Sequence, residues 1–319
     1  MAKFRLSVLF VAFAFAFAAC GGSDEPTPTC DPVCEDGFEC SEDLECVEID
    51  LCLDVECGEG FVCEAGECIE IVEVDAFGEL LNILEGEDGG YINNAAPKVI
   101  GVGDVAADLE AWDAIIDLRG ADKDDNGVVD FDEGHIAGAV LVPLADVLTY
   151  ASANLEDGAK ILVVCYTGQS AGHAVFALNV MGYDASSLKF GMSSWNVAFD
   201  KWSGATGSDY ADQFVFEADP GKNEPGDLPV LETEATDAEG ILLERLNAML
   251  SGGFKGVSVA DLFADLESYY IVNYWGEEDY LTTYGHIPGA HQYTPKASLL
   301  SSADLATLPT DMKIAVYCW

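Results

Sequence analysis

Residues 160–182 read KILVVCYTGQSAGHAVFALNVMG, and this stretch decides the fold. Ile161 to Val164 are four consecutive apolar residues, three of them β-branched, and they predict a strand buried on both faces. A helix is predicted next, because apolar residues recur at helical spacing before Gly182: Ala171, Ala174, Val175, Leu178 and Met181. A buried strand followed by such a helix predicts an α/β fold, a parallel sheet with helices on both faces.

Cys165 lies on the turn between this strand and this helix. In α/β folds, ligands bind at the carboxyl ends of parallel strands, where loop amides and the next helix N-terminus favour negative charge. A cysteine at such a turn is favoured as the thiolate, which is the nucleophilic form. The alternative is a buried thiol without chemistry.

Four segments resemble conserved motifs of the rhodanese sulfurtransferases. Cys165 to Ser170 resembles the six-residue active-site loop, with glycine fourth and a small hydroxyl residue sixth. Ile115 to Arg119 looks like the family's strand that ends in Asp-x-Arg. Gly134 to Ala139 looks like its Gly-His-Ile-x-Gly-Ala turn, and Gly191 to Trp195 looks like its late Gly-x-x-x-Trp motif. The resemblance covers residues 74–202, and again 237 to the end.

The resemblance implies an enzyme that relays sulfur. Cys165 attacks a sulfane-sulfur donor, holds the sulfur as a persulfide and passes it to a thiol acceptor, either of which is a small molecule or a protein. The persulfide is held by the loop residues Tyr166, Thr167, Gly168, Gln169 and Ser170, supported by Asp117 and Arg119. No cofactor is expected for catalysis.

The length of the loop separates two chemistries within this superfamily. Related phosphatases have a loop one residue longer that ends in an arginine, whereas Ser170 closes a shorter ring here and the loop has no arginine. Sulfur transfer is therefore preferred to phosphate chemistry. Loops that favour thiosulfate carry basic residues and this one carries none, so thiosulfate as the natural donor is left open.

The motifs recur later in the chain, which predicts that the fold is repeated twice. The Gly-His-Ile turn returns at Gly285 to Ala290, and the strand with its cysteine returns at Lys313 to Trp319. We expect rhodanese-like domains at 74–205 and 236–319, joined by a linker at 206–235 that is rich in proline, glycine and acidic residues. The second domain is expected to be truncated after Cys318, a candidate second nucleophile, as in a fragment of a longer product. Asn273 to Trp275 replace its Asp-x-Arg.

An acidic insertion in the first repeat predicts a calcium site. Residues 122–133 match the EF-hand loop, with Gly127 at the sixth position for the turn. The predicted ligands are Asp122, Asp124, Asn126, the carbonyl of Val128, Asp130 and Glu133. The segments around the loop are not two helices, and a solvated acidic insertion is the alternative.

Eight cysteines lie between Cys30 and Cys68, in two four-cysteine units that resemble EGF-like modules. A segment this short cannot bury enough apolar surface to fold alone, so residues 30–69 are predicted to be a module held by disulfides, two in each unit. A metal cluster would need histidines or paired Cys-x-x-Cys spacings that this segment does not have.

Residues 1–19 predict a secretory signal, with Lys3 and Arg5 ahead of an apolar run too short to span a bilayer. Phe17 to Cys20 resembles a bacterial lipobox, which implies lipidation of Cys20 and a membrane anchor ahead of a spacer at 20–29. Cleavage and free secretion is the alternative. With 13 basic and 58 acidic residues and a net charge of −45, nucleic acid is excluded as a partner, and anionic substrates are disfavoured unless a local site overrides the field.

These features together predict a lipid-anchored extracytoplasmic sulfurtransferase, either periplasmic or on the cell surface. The alternative is a non-catalytic interaction or adhesion lipoprotein that uses the rhodanese fold as a scaffold.

Overall fold

The computed structural model describes residues 38–40, 46–48, 52, 55–58, 61–70, 75–86, 91, 98–216 and 219–318. The predicted signal, Cys20 and the spacer lie outside these residues. The chain divides into two compact units, Met1–Glu73 and Val74–Trp319. Among the described residues, no helix combines the length and the apolar character needed to cross a bilayer.

The described residues of the first unit include two small antiparallel hairpins. β1 (Phe38–Cys40) pairs with β2 (Cys46–Glu48), and β3 (Phe61–Glu64) pairs with β4 (Glu67–Glu70). Disulfides join Cys52 to Cys63 and Cys57 to Cys68. The prediction of two bridges is therefore confirmed for the second four-cysteine unit, whereas for the first unit, of which Cys30 and Cys34 lie outside the described residues, it stays a prediction.

The second unit contains a five-stranded sheet in the order β5-β9-β8-β6-β7, and all its pairs are parallel. Its strands are β5 (Val99–Ile100), β6 (Ala114–Asp117), β7 (Val140–Leu141), β8 (Lys160–Val164) and β9 (Asp184–Leu188). The strand predicted at Ile161 to Val164 is the central β8, and its four apolar side chains are fully buried.

Helices cover both faces of this sheet, as the sequence predicts. Among its described residues, the second unit contains the helices α1 (Ala76–Glu85), α2 (Val102–Ala107), α3 (Asp130–Glu133), α4 (Val147–Asn154), α5 (Gln169–Val180), α6 (Met192–Trp195), α7 (Ala238–Gly252) and α8 (Val259–Ala264). Helix α8 packs elsewhere, since its buried Leu262 belongs to a different hydrophobic cluster. Alternate residues of β8 point to opposite faces. Ile161 and Val163 pack with α1, α4, α5 and α7, while Leu162 and Val164 pack with α2 and α6.

Helix α7 packs against the core of the five-stranded sheet. Its buried residues Ile241, Leu242, Leu246 and Leu250 share one hydrophobic cluster with Ile161 of β8. The sequence places this helix at the start of the second predicted domain. The chain that follows α7 consequently begins beside the first sheet.

A second, three-stranded parallel sheet follows in the order β11-β10-β12. Its strands are β10 (Tyr269–Asn273), β11 (His291–Gln292) and β12 (Lys313–Tyr317). Trp275 and Tyr280 are buried in the cluster that covers one of its faces. A full repeat of the rhodanese fold in this part of the chain stays a prediction.

Candidate active site at Cys165

Cys165 lies where β8 ends and α5 is about to begin. The residue is 2% exposed, and its Sγ accepts a hydrogen bond of 3.1 Å from the amide of Gly168. Gly168 is the N-cap of α5 and has a φ of +91°, a conformation that glycine adopts without steric cost. The first amides of a helix have no partner within the helix. A negative charge on Sγ is therefore placed where α5 stabilises it.

The segment after β9 donates hydrogen bonds to backbone carbonyls of this loop. The amide of Met192 donates to the Cys165 carbonyl at 2.8 Å, and the amide of Ser193 donates to the Tyr166 carbonyl at 3.1 Å. The Oγ of Ser193 donates to the same carbonyl at 2.9 Å. These bonds occupy loop carbonyls and fix the loop in one conformation.

Gly191 passes so close to the loop that no side chain fits. A Cβ on this residue would lie 2.7 Å from the carbonyl carbon of Tyr166 and 2.8 Å from the nitrogen of Thr167. Its φ is +54°. The glycine of the late Gly-x-x-x-Trp motif is therefore explained by close approach to the Cys165 loop.

The loop opens into a pocket of about 380 Å³. Its lining consists of Lys123, Cys165, Tyr166, Thr167, Gln169, Ser170, Lys201 and Phe254. The structure thus places four of the five predicted loop residues around the pocket with the thiol. The fifth, Gly168, contributes its backbone amide, which donates to Sγ.

Three of these lining residues were missed by sequence reasoning: Lys123, Lys201 and Phe254. Lys123 follows β6 on the carboxyl edge of the sheet, where α/β folds bind ligands, and that position is the signal that could have identified it. Lys201 and Phe254 carry no comparable signal, because they reach the pocket through loops. The basic residues that the loop lacks are supplied from elsewhere in the chain.

Asp117 and Arg119 form a buried ion pair behind the loop and do not line the pocket. Arg119 Nη2 lies 2.8 Å from Asp117 Oδ2, and both side chains are at most 1% exposed. Arg119 also donates to the carbonyls of Gly134, at 2.7 Å, and Asp130, at 3.4 Å. The pair therefore attaches the acidic insertion to the end of β6.

Asp130 connects the insertion to the Cys165 loop. Its carboxylate accepts from the Lys123 amide at 3.0 Å and interacts with the buried Tyr166 hydroxyl. This second interaction is looser than a full hydrogen bond, since that hydroxyl has no partner at hydrogen-bond geometry among the described residues. Burial and Asp130 raise the pKa of Tyr166, so the phenol stays neutral. Burial alone would raise the pKa of Asp130, but Tyr166, the Lys123 amide, Lys201 and Arg119 together lower it.

Three of the six predicted calcium ligands lie close together in the insertion. Oxygens of Asp122, Asp124 and Asp130 lie within 4.8 Å of one another. Asn126 Nδ2 contacts Glu133 Oε1 and lies 3.2 Å from Asp124 Oδ2. The amide of Val128 donates to Asn126 Oδ1 at 2.8 Å. The carboxylate oxygens of Asp122, Asp124 and Asp130 are of the type that binds Ca²⁺.

Cys318 directly follows β12 of the smaller sheet and is exposed, unlike Cys165. Asn273 and Trp275, which replace Asp117 and Arg119, are both buried. No described residue forms an ion pair there like that of Asp117 and Arg119.

Comparison with known proteins identifies the fold around Cys165. The family model of the rhodanese-like domain matches residues 102–198. No curated protein sequence matches the chain.

Several solved structures are similar to about a third of the chain. A rhodanese-related protein from Thermoplasma volcanium is 24% identical over 31% of this chain and 90% of its own, with a TM-score of 0.26. A rhodanese homologue from Thermus thermophilus is 23% identical over 30% of this chain and 99% of its own, with a TM-score of 0.24. A rhodanese-like domain protein from Staphylococcus aureus is 22% identical over 33% of this chain and 95% of its own, with a TM-score of 0.27.

Proposed function

We propose that the rhodanese-like domain is a sulfurtransferase that carries sulfane sulfur as a persulfide on Cys165. The observation that carries this proposal is the hydrogen bond from the Gly168 amide to Sγ at the N-terminus of α5. A thiolate at this point is stabilised by the Gly168 amide, and the N-terminus of α5 also favours the negative charge that a persulfide carries on its outer sulfur.

Two displacements at sulfur make up the proposed cycle. The Cys165 thiolate attacks the sulfane sulfur, the new S–S bond forms, and the rest of the donor leaves with the electron pair of the broken bond. A thiolate acceptor then attacks the outer sulfur, and Cys165 leaves as the thiolate. No oxidant or metal is needed, because sulfur is only passed from one carrier to the next.

Intact mass spectrometry tests this function. The purified chain is measured before and after incubation with thiosulfate or an organic persulfide. We expect a gain of one sulfur atom, which a thiol acceptor or cyanide then removes. No gain with either donor would contradict catalysis and favour the alternative of a scaffold lipoprotein.

We also propose that the chain is anchored outside the cytoplasm through lipid on Cys20. Several acyl chains on one cysteine hold a protein stably at a membrane, whereas a single chain holds it only marginally. Labelling with radioactive fatty acid in a bacterial host should mark the wild-type chain and not Cys20→Ala. Equal labelling of both would mean that another residue carries the lipid or that the label is non-specific.

We propose further that the insertion at 122–133 binds Ca²⁺, with Asp122, Asp124, Asn126, Val128, Asp130 and Glu133 as ligands. Binding to the folded state alone raises its stability by about 2.7 kcal/mol at a hundredfold excess over Kd. Glu133→Gln removes the bidentate ligand and should remove most of this gain. Differential scanning calorimetry of chelator-treated protein, with and without calcium, measures the effect, and Glu110→Gln is a control outside the insertion. An unchanged melting temperature in the wild type would reduce the segment to an acidic surface loop.

A further inference from the structure

We propose that Lys123, Lys201 and Phe254 select the sulfur donor: the two lysines favour an anion, and Phe254 favours an organic anion over a small inorganic one. This proposal rests on the function proposed above, whose site it completes. All three side chains line the Cys165 pocket, and none belongs to the six-residue loop. They supply the positive charge that the loop lacks, and they add apolar surface to that of the Tyr166 ring.

The pocket is lined by positive charges, although the chain as a whole is strongly negative. The chain has only 13 basic residues against 58 acidic ones, yet two of the lysines line this one pocket. Neither Lys123 nor Lys201 forms a salt bridge with any residue that the structure describes. Lys201 still interacts with the Asp130 carboxylate, whose pKa it lowers. Because neither lysine is held in an ion pair, both can attract an anion at short range, where the field of more distant carboxylates is screened by salt. The two lysines are thus a local site that overrides the repulsive field.

Both lysines are fixed to the groups that hold the loop. The Lys123 amide donates to Asp130, and its Nζ lies 4.1 Å from the centroid of the Tyr166 ring. The Lys201 amide donates to Ser193 Oγ at 3.0 Å, and that same Oγ donates to the Tyr166 carbonyl. The backbone of both lysines is therefore tied to the loop before a donor arrives, and the Lys123 charge lies against the Tyr166 ring.

Phe254 supplies an apolar wall. It directly follows Gly253, which ends α7 at a φ of +70°, and the residue is 43% exposed. Its ring makes an edge contact with His173, with 5.4 Å between centroids. Burial lowers the pKa of His173, so this neighbour is uncharged at neutral pH. An exposed phenylalanine that lines a pocket offers surface for an apolar group of a ligand.

A thiosulfonate, R–SO2–S⁻, with an aromatic or alkyl group R combines these requirements. The Cys165 thiolate attacks its terminal sulfur, a new S–S bond forms, and the bond between that sulfur and the sulfonyl sulfur breaks. The electron pair leaves with the sulfinate R–SO2⁻. Two negative charges enter the step and two leave it, so no proton or redox partner is required. The lysines would attract the negatively charged thiosulfonate group, and Phe254 would contact the apolar group R.

Alkylation of Cys165 tests the lysines without any need for sulfur transfer. Purified chain is treated with iodoacetate, an anion, or with neutral iodoacetamide, and modification of the Cys165 peptide is followed by mass spectrometry. One unit charge at about 4 Å in water changes a rate about fivefold. We expect the iodoacetate-to-iodoacetamide rate ratio to fall about fivefold in Lys123→Gln or Lys201→Gln, and about twentyfold in the double variant.

Lys98→Gln is the matched control, because Lys98 is a half-exposed lysine paired with Asp184 and outside the pocket. Its ratio should equal that of the wild type. An unchanged ratio in the double variant would overturn the role of the lysines, whether or not the protein transfers sulfur.

Sulfur transfer from benzenethiosulfonate and from thiosulfate tests Phe254. We expect kcat/KM for benzenethiosulfonate to fall about tenfold in Phe254→Ala, with thiosulfate little changed, and Phe254→Leu to keep most of the preference. Equal losses on both donors would overturn the apolar wall. The wild type could fail to transfer sulfur from both donors while its alkylation still depends on the lysines. That result would refute sulfur transfer and the donor assignment, but the attraction of anions by Lys123 and Lys201 would stand.

Discussion

Cys165→Ser is expected to take up no sulfur from any donor, a loss on the order of a thousandfold or more in kcat/KM. A serine hydroxyl is not ionised at neutral pH and its oxygen does not form a persulfide. The exchange removes the nucleophile while keeping a small side chain in a position that is 2% exposed. Intact mass and single-turnover transfer to a thiol measure the loss.

Cys318→Ser is the matched control, since Cys318 is a free cysteine that directly follows a strand of the other sheet. It should keep the sulfur uptake of the first site. Undiminished transfer in Cys165→Ser would contradict the assignment, and a loss confined to Cys318→Ser would move the site to the second sheet.

Gly191→Ala is expected to destabilise the second unit by about 2–5 kcal/mol and to abolish sulfur uptake. The new Cβ would press against backbone atoms of Cys165, Tyr166 and Thr167, which have no flexible side chain to yield. A non-glycine residue at φ +54° adds backbone strain. Thermal unfolding should show a Tm lower by roughly 10 °C.

Gly172→Ala provides the control, because it makes the same exchange within α5 where a Cβ would meet nothing within 4 Å. Alanine has a higher helix propensity than glycine, so this variant should gain up to about 1 kcal/mol and keep activity. Equal behaviour of the two variants would mean that Gly191 is not held against the loop.

Apolar periodicity was sufficient to predict the central part of the fold. Ile161 to Val164 are the buried central strand, and the helix predicted after Cys165 is α5. Such patterns are local, and a buried parallel strand tolerates little besides branched apolar residues. The packing of α7 was not predictable in the same way. Its leucines require an apolar partner, but their spacing does not say which sheet supplies it.

The sequence by itself predicted the rhodanese-like sheet through its family motifs, and it predicted the loop from Cys165 to Ser170 through the strand and the helix beside it. It also predicted two disulfides in the second cysteine unit from an even number of cysteines, but not which cysteines pair. Only the tertiary structure decided what surrounds the thiol. Lys123, Lys201 and Phe254 are far apart in sequence and meet at Cys165 because separate loops end at the carboxyl edge of one parallel sheet. Charge at the pocket is thus set by folding, because a loop without a basic residue receives two lysines from elsewhere in an acidic chain.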